Sequence, residues 1–429
     1  MTVALLIGSM LGFAMLGIPL VFAILGSALL TILVYRPTLP LELLPQFFVS
    51  GVNHYALLAV AFFFLAGELM NAGGITQRLV NFAQSLVGHI RGSLAHVNIA
   101  TSMMFACVSG SAAAGAAVVG GVLIKPMVRN GYSPAFAGAI TSAASVIGPI
   151  IPPSIPMIIY AVLMEQSVSR LFLAGLAPGF LVGATLMVVA YFISRRRGYT
   201  VGEPFAIKRV IESGKRAVIA LLAPILILVG ILGGFFTATE AGAMAVGYSF
   251  FVGMFVLKEL TWPGFYRALV RAAVGTATVL VVVGASTVVA WIVADLQVSK
   301  AVADMIFQIS SQPWAVLAMI MIFLLIIGLF LDAMAALIIM TPILAPIAVS
   351  VGIDPVHFGV IMIVNLLIGL CTPPVGILLY MSASIAQTPP EGVIREVIPF
   401  VFVLIGVLAL CTFVPAVVLT LPNLIYGAS

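Results

Sequence analysis

The residues best placed to do chemistry in this chain are glycines, prolines and small hydroxyl side chains. Ser109, Gly110 and Ser111 open a run of nine small residues ending at Ala117. Gly148-Pro149-Ile150-Ile151-Pro152-Pro153 and Gly369-Leu370-Cys371-Thr372-Pro373-Pro374 each interrupt a long apolar segment. Proline lacks an amide hydrogen and pushes the preceding residue out of helical conformation, so no helix runs through either hexapeptide. Such breaks free carbonyl oxygens, which coordinate cations, and expose half-helix amide ends, which attract anions. The chemistry is binding rather than bond-making. His54, His89, His96 and His357 show no ligand spacing, and Cys107, Cys371 and Cys411 lack the paired spacing of a metal site. With no nucleotide loop and no chain of intramembrane acids, the pattern is that of neither an enzyme nor an ion-pump subunit, and no cofactor is implied.

Breaks of this kind need a membrane around them. The chain is 63% hydrophobic and 7% charged, against roughly 25% charged residues in soluble domains. Residues 1–35, 171–194, 217–239, 272–294 and 397–429 contain no Lys, Arg, Asp or Glu. About 20 apolar residues span a bilayer, so each stretch can cross. The first has no basic leader and runs on too far for a cleavable signal. Arg195, Arg196, Arg197, Lys208, Arg209, Lys215 and Arg216 fill one polar connection. That cluster reads as a cytoplasmic loop under the positive-inside bias rather than as a nucleic-acid site.

Threading from that loop assigns directions. Residues 171–194 enter, 217–235 leave, 240–257 return and 272–296 leave again. Arg78, Arg91, Lys125 and Arg129 all belong inside, so the 33 residues 92–124 must enter and return on one side. One helix of that length would be about 50 Å long, more than one simple span, and two full spans would need more residues. A re-entrant hairpin with its tip at Ser109–Ala117 fits, since small residues allow close approach; a tightly packed helix interface is the other reading of that run. Residues 130–164 form two half-helices around the first break. Aligning 131–178 with 352–399 matches ten positions without a gap, seven of them Gly or Pro, where chance placement gives about one such match. The chain is therefore a duplication. Its second half has a hairpin in 313–347, with a tip at Gly328–Ala336, and a broken helix in 355–390 that runs the opposite way. Inverted repeats with paired broken helices mark secondary transporters.

Five motifs carry a family resemblance. They are Gly67-Glu68-Leu69-Met70-Asn71 with Gly73-Gly74-Ile75; Ile147-Gly148-Pro149 with Ile151-Pro152-Pro153-Ser154; Thr239-Glu240-Ala241-Gly242-Ala243; Gly328 with Phe330-Leu331-Asp332; and Thr372-Pro373-Pro374-Val375-Gly376. In this order, over essentially the whole chain, the sequence resembles the large membrane subunit of tripartite ATP-independent periplasmic (TRAP) transporters. The resemblance implies an all-α polytopic elevator-type transporter that imports organic acid anions, of the C4-dicarboxylate or sialic acid class, on a sodium gradient. It implies a periplasmic binding protein and a small membrane subunit, here expected as a separate chain because no extra N-terminal bundle precedes the pattern. A stand-alone ion-coupled dicarboxylate carrier is the alternative.

Within that frame the first sodium site is expected at Ser109, Gly110, Ser111, Ser145 and Gly148. The second is expected at Gly328, Asp332, Asn365, Gly369 and Thr372. Substrate is expected against Ser111, Pro152, Pro153, Pro373 and Pro374. Asp332 fits three roles: ion ligand, proton carrier or helix cap. Glu68 and Glu240, near span ends, read as structural or subunit contacts. The divisions expected are scaffold helices over 1–91, a first transport half over 92–165, scaffold helices and the cytoplasmic loop over 166–296, a second transport half over 313–390 and a C-terminal scaffold helix over 391–429. The protein is placed in the bacterial inner membrane, with its N-terminus cytoplasmic and its C-terminus periplasmic.

Overall fold

A computed structural model describes residues 2–427, without the side chains of a few residues, Ser109 among them. α1 (Thr2–Met15) and α2 (Leu20–Tyr35) are followed by α3 (Leu43–Val52), a 3-10 turn, α4 (Leu58–Ala72) and α5 (Ile75–Val87). α6 (Ser93–Ser109) and α7 (Ala112–Arg129) form the first hairpin; α8 (Pro134–Ser145) and α9 (Ile155–Leu163) flank the first break. α10 (Val168–Arg197), α11 (Ile207–Leu232), α12 (Ala238–Phe251) and α13 (Trp262–Asp295) follow. α14 (Val298–Ile309) leads to the second hairpin, α15 (Pro313–Phe330) and α16 (Ala333–Ser350). The second broken pair is α17 (Pro355–Gly369) and α18 (Ile377–Ala386), and α19 (Pro390–Phe413) and α20 (Pro415–Tyr426) close the chain. Among the described residues, nine helices are long and apolar enough to cross a membrane.

The hairpin is re-entrant because its two ends meet one loop. Gly92 N donates to Thr200 O (3.2 Å) and Ser133 N donates to Tyr199 Oη (3.3 Å). Tyr132 lies against the Tyr199 ring with centroids 4.3 Å apart. Burial pushes the Tyr132 phenol up to about 12, so it packs as a neutral ring. The two broken helices run in opposite directions, as expected. α8 starts beside Tyr199, and α9 delivers Tyr160, whose hydroxyl donates to Pro355 O at the start of α17 (2.7 Å). α18 then returns to the first face, where Glu396 at the start of α19 meets Arg197 at the end of α10 (2.8 Å).

The duplication extends well beyond the matched sequence. Adding 221 to both ends of α7 gives both ends of α16, and adding it to the start of α8 gives the start of α17. The packing follows the same rule: α7 lies on α18 as α16 lies on α9, and α12 lies on α4 as α2 lies on α13. α6 to α10 pack with α15 to α20 in one body, and α1 to α4 with α11 to α13 in another. α5 bridges α6 and α11, and its counterpart α14 bridges α16 and α13. α10 and α19 pack against each other and on the hairpin and broken-helix elements. Both of these helices follow a broken helix directly and cover its buried face; Phe400 and Leu173, for instance, are fully or nearly fully buried.

The charge-free N-terminal stretch forms two helices, α1 and α2, rather than one. Gly17, at φ +79°, and Pro19 turn the chain, and the Phe13 ring packs back over Gly26. α2 ends at Arg36, which pairs with Asp295 at the far end of α13 (3.1 Å). The C-terminal helix sits on that same face, where Arg170 donates to Asn423 (3.2 Å). The end of α2 and the C-terminal helix thus lie on the face opposite the basic loops.

Tyr160 and Gly359 lock the two halves together. A Cβ at Gly359 would lie 2.3 Å from the buried Tyr160 ring. Overpacking of this kind costs about 1–3 kcal/mol, so we expect Gly359→Ala to lower the thermal midpoint of the detergent-solubilised protein while Val360→Ala, a plain truncation nearby, leaves the interhelix spacing intact.

Candidate functional site

At the first tip, α6 ends on Gly110 in the left-handed region (φ +55°), where a Cβ would lie 3.0 Å from Pro153 O. Ser111 then caps α7, its hydroxyl accepting from Ala114 N (3.4 Å). Gly148 faces this tip: a Cβ there would lie 3.3 Å from Ser111 O and 3.2 Å from Ser145 O. Gly110, Ser111, Ser145, Gly148 and Pro153 are therefore brought together. The Ser145 hydroxyl donates to Thr141 O (2.6 Å) and keeps its lone pairs for a ligand. Ser154 clasps the break, donating to Pro149 O (2.5 Å) and accepting from Met157 N at the start of α9 (3.3 Å). The expected contribution of the Ser109 side chain lies outside the described residues.

The second tip is tighter. Gly328 and Gly369 meet backbone to backbone, and a Cβ on Gly369 would lie 2.5 Å from the Gly328 carbonyl carbon. Thr372 Oγ1 donates to Ile368 O (2.7 Å), within the break. The Asn365 side-chain amide donates to Met321 O on α15 (2.7 Å), which pins the hairpin arm, and its Oδ1 makes no hydrogen bond among the described residues. Asp332 is exposed and caps α16, accepting from Met334 N (2.9 Å) and Ala335 N (3.4 Å). Of the roles open to it, capping is the one the geometry displays. The two breaks differ in access: Pro152 and Pro153 are buried, whereas Pro373 is half-buried and Pro374 exposed. Both proline pairs have a cis peptide bond.

Sequence reasoning missed what faces the first tip. α4 lays Glu68 and Asn71 along a cleft whose other wall is Ser111, Ala114 and Val118. Glu68 is held by Arg271 of α13 (2.8 Å). The Gly67–Asn71 motif was the available signal, but nothing in its spacing shows that α4 packs near α6. The cleft holds about 60 Å³, far below the roughly 300–1,000 Å³ of small-molecule sites. In this conformation the tip sits closed against α4. Glu240 has the structural role expected, completing a capping box with Thr237 at the start of α12.

Comparison with known proteins decides the family. The model of the tripartite ATP-independent periplasmic transporter, DctM component, matches residues 7–417. The chain belongs to this family. It is 42% identical over 417 residues to the sialic acid TRAP transporter large permease protein SiaM of Vibrio cholerae, covering 97% of each chain. It is 38% identical over 397 residues to the C4-dicarboxylate TRAP transporter large permease protein DctM of Pseudomonas aeruginosa, covering 92% of this chain and 93% of that one. The solved structure of the Alcanivorax borkumensis YdaH transporter shares the fold, with a TM-score of 0.64 at 16% identity over 87% of this chain and 88% of that one. The DctM-family chain is a transporter permease component and not an enzyme.

Two substitutions separate the roles at the tips. Asn caps nearly as well as Asp, while Ala forfeits about 0.5–2 kcal/mol. If Asp332 acts by capping, Asp332→Asn keeps uptake and Asp332→Ala weakens it; loss of uptake with Asn would assign the charge to ion binding. At the breaks, Gly148→Leu and Gly369→Leu are expected to abolish uptake with expression and membrane insertion unchanged, read by quantitative immunoblot beside radiolabel transport.

Proposed function

We propose that this chain performs sodium-coupled uptake of an organic acid anion, of the sialic acid or C4-dicarboxylate class, delivered by a periplasmic binding protein. The observation that supports it best is the pair of hairpin tips seated on oppositely directed breaks, with Gly148 and Gly369 at the contacts. Freed carbonyls and hydroxyls suit a hard cation such as sodium, because hard cations take oxygen ligands. We assign the first sodium site to Ser109, Gly110, Ser111, Ser145 and Gly148. The second is centred on Gly328, Gly369 and Thr372, with Asn365 and Asp332 as supports. No arginine lies within the breaks, so half-helix amide ends near Ser111, Pro152, Pro153, Pro373 and Pro374 supply anion recognition.

Transport proceeds by an elevator. The body of α6 to α10 and α15 to α20 slides against α1 to α4 and α11 to α13, with α5 and α14 as the arms between them. The Glu68–Asn71 cleft opens as the tip moves. With the basic face in the cytoplasm of the bacterial inner membrane, both chain ends are periplasmic, which replaces the cytoplasmic N-terminus expected from sequence. The partners are a small TRAP membrane subunit on a separate chain and the substrate-binding protein; relatives named as sialic acid and C4-dicarboxylate permeases support both substrate classes.

The test is uptake in proteoliposomes holding this chain and its small partner, offered labelled sialic acid or succinate. Uptake that requires both an inward sodium gradient and the binding protein is expected. Uptake without a binding protein would favour a stand-alone carrier.

A further inference from the structure

The two breaks match in sequence and differ in what they expose. Thr372, Pro374, Ile377 and Tyr380 correspond, 221 residues earlier, to Ile151, Pro153, Pro156 and Ile159. The earlier four are all buried. Of the later four, Thr372 is half-buried and the other three are exposed. The packing agrees with this. α9 lies on α4 and on the 3-10 turn before it, which belong to the other body, whereas α18 lies on α7, α8 and α19 of its own body.

An exposed break at membrane depth does not face lipid. Unwound backbone is tolerated there only where it is buried in protein or lines a water-filled cavity. Pro374 is exposed, so the space beside it is open to water and to cargo rather than to acyl chains.

Tyr380 stands beside that opening. Helical side chains lean back toward the start of their helix, and Tyr380 lies one turn into α18, which Gly376 begins in the left-handed region (φ +46°). Its side chain is directed at the break, with the hydroxyl 3.5 Å from Pro374 O. Hydroxyl hydrogen bonds normally measure about 2.5–3.0 Å, so the carbonyl holds this phenol only weakly. Tyr380 is 47% exposed. Tyr160, next to the counterpart position on α9, is fully buried and donates to Pro355 O at 2.7 Å.

The other polar side chains described at this break have work already. Thr372 Oγ1 donates to Ile368 O (2.7 Å), and so does Cys371 Sγ (3.3 Å). The Asn365 amide donates to Met321 O (2.7 Å). Asp332 is an acceptor, receiving Met334 N (2.9 Å), and its charge does not attract another anion. The Tyr380 hydroxyl is the exposed donor that remains.

We propose that Tyr380 is a cargo-binding, specificity-determining residue: its hydroxyl leaves Pro374 O and donates to a carboxylate oxygen of the organic anion resting against Pro373 and Pro374. The assignment deepens the uptake reading above and rests on it. A phenol hydroxyl supplies one donated hydrogen bond without adding a charge. When cargo departs, Pro374 O takes the hydroxyl back. Ile159 has no donor, so the two breaks grip cargo unequally, and the second one contributes a side chain of its own.

The test uses the full chain with its small partner and binding protein in proteoliposomes, with labelled sialic acid and succinate. Tyr380→Phe removes one oxygen and keeps the ring. Losing a hydrogen bond to a charged group is expected to raise the cargo KM about ten-fold, with the maximal rate and the sodium concentration for half-maximal uptake unchanged. An unchanged cargo KM, or a lower maximal rate at the same KM, would overturn the assignment. A second measurement needs no turnover. In a parent with Cys107, Cys371 and Cys411 replaced by alanine, Tyr380→Cys is treated with a small water-soluble methanethiosulfonate in detergent. The thiol is expected to react, and the transported acid to slow the reaction several-fold. A thiol that is inert, or that reacts equally with and without the acid, would also overturn it. If uptake by the parent needs no sodium, the coupling reading fails while both comparisons still decide Tyr380; if the parent takes up no organic acid, the uptake reading fails and the assignment with it.

Discussion

Backbone amides and carbonyls in hydrocarbon must be paired within the protein, and nearly everything in this structure follows from suspending that rule at two places. A helix satisfies its own backbone; a break at Gly148–Pro153 or Gly369–Pro374 does not. The protein covers each break with the tip of a hairpin, and close cover needs glycine on one or both sides. Gly148 sits under Ser111, and Gly369 meets Gly328 without room for a Cβ. Ser154 and Thr372 absorb part of the freed backbone with their hydroxyls.

Covering the breaks also fixes the architecture around them. Two half-structures of opposite direction each seat a hairpin tip on a break, as the Gly148–Ser111 and Gly369–Gly328 contacts show. The Tyr160–Pro355 bond and the Gly359 contact hold the halves as one body. Across the cleft, Glu68 is fixed by Arg271 on the other body. A partly exposed ion pair of this kind contributes little to stability, about 0–1 kcal/mol.

Most of the fold was legible because Gly and Pro act locally. Clustered Gly and Pro end a helix at Gly148–Pro153 and Gly369–Pro374, whereas the single prolines Pro126, Pro178 and Pro224 stay within helices, and the 221-residue offset of Gly148 and Pro152 to Gly369 and Pro373 exposed the duplication without any knowledge of packing. The turn at Gly17 and Pro19 carried the same signal, yet it lies in an unbroken charge-free run and was not singled out. Side-chain direction was not legible. The spacing does not show that the Asn365 amide donates to Met321 O or that Asp332 accepts from Met334 N at the start of α16. Nor does spacing show which helices meet, which is why the α4 wall of the cleft was missed.

The central claim is that the hairpin body moves against α4 during transport, and a reversible tether across the cleft tests it most directly. Asn71→Cys on α4 and Ala114→Cys on α7 line opposite walls. In a protein without its other cysteines, a short bifunctional thiol reagent that is cleaved by reductant should join them and stop uptake. Reduction should restore it, and each single variant should be unaffected. Full cross-linking with undiminished uptake would contradict the account.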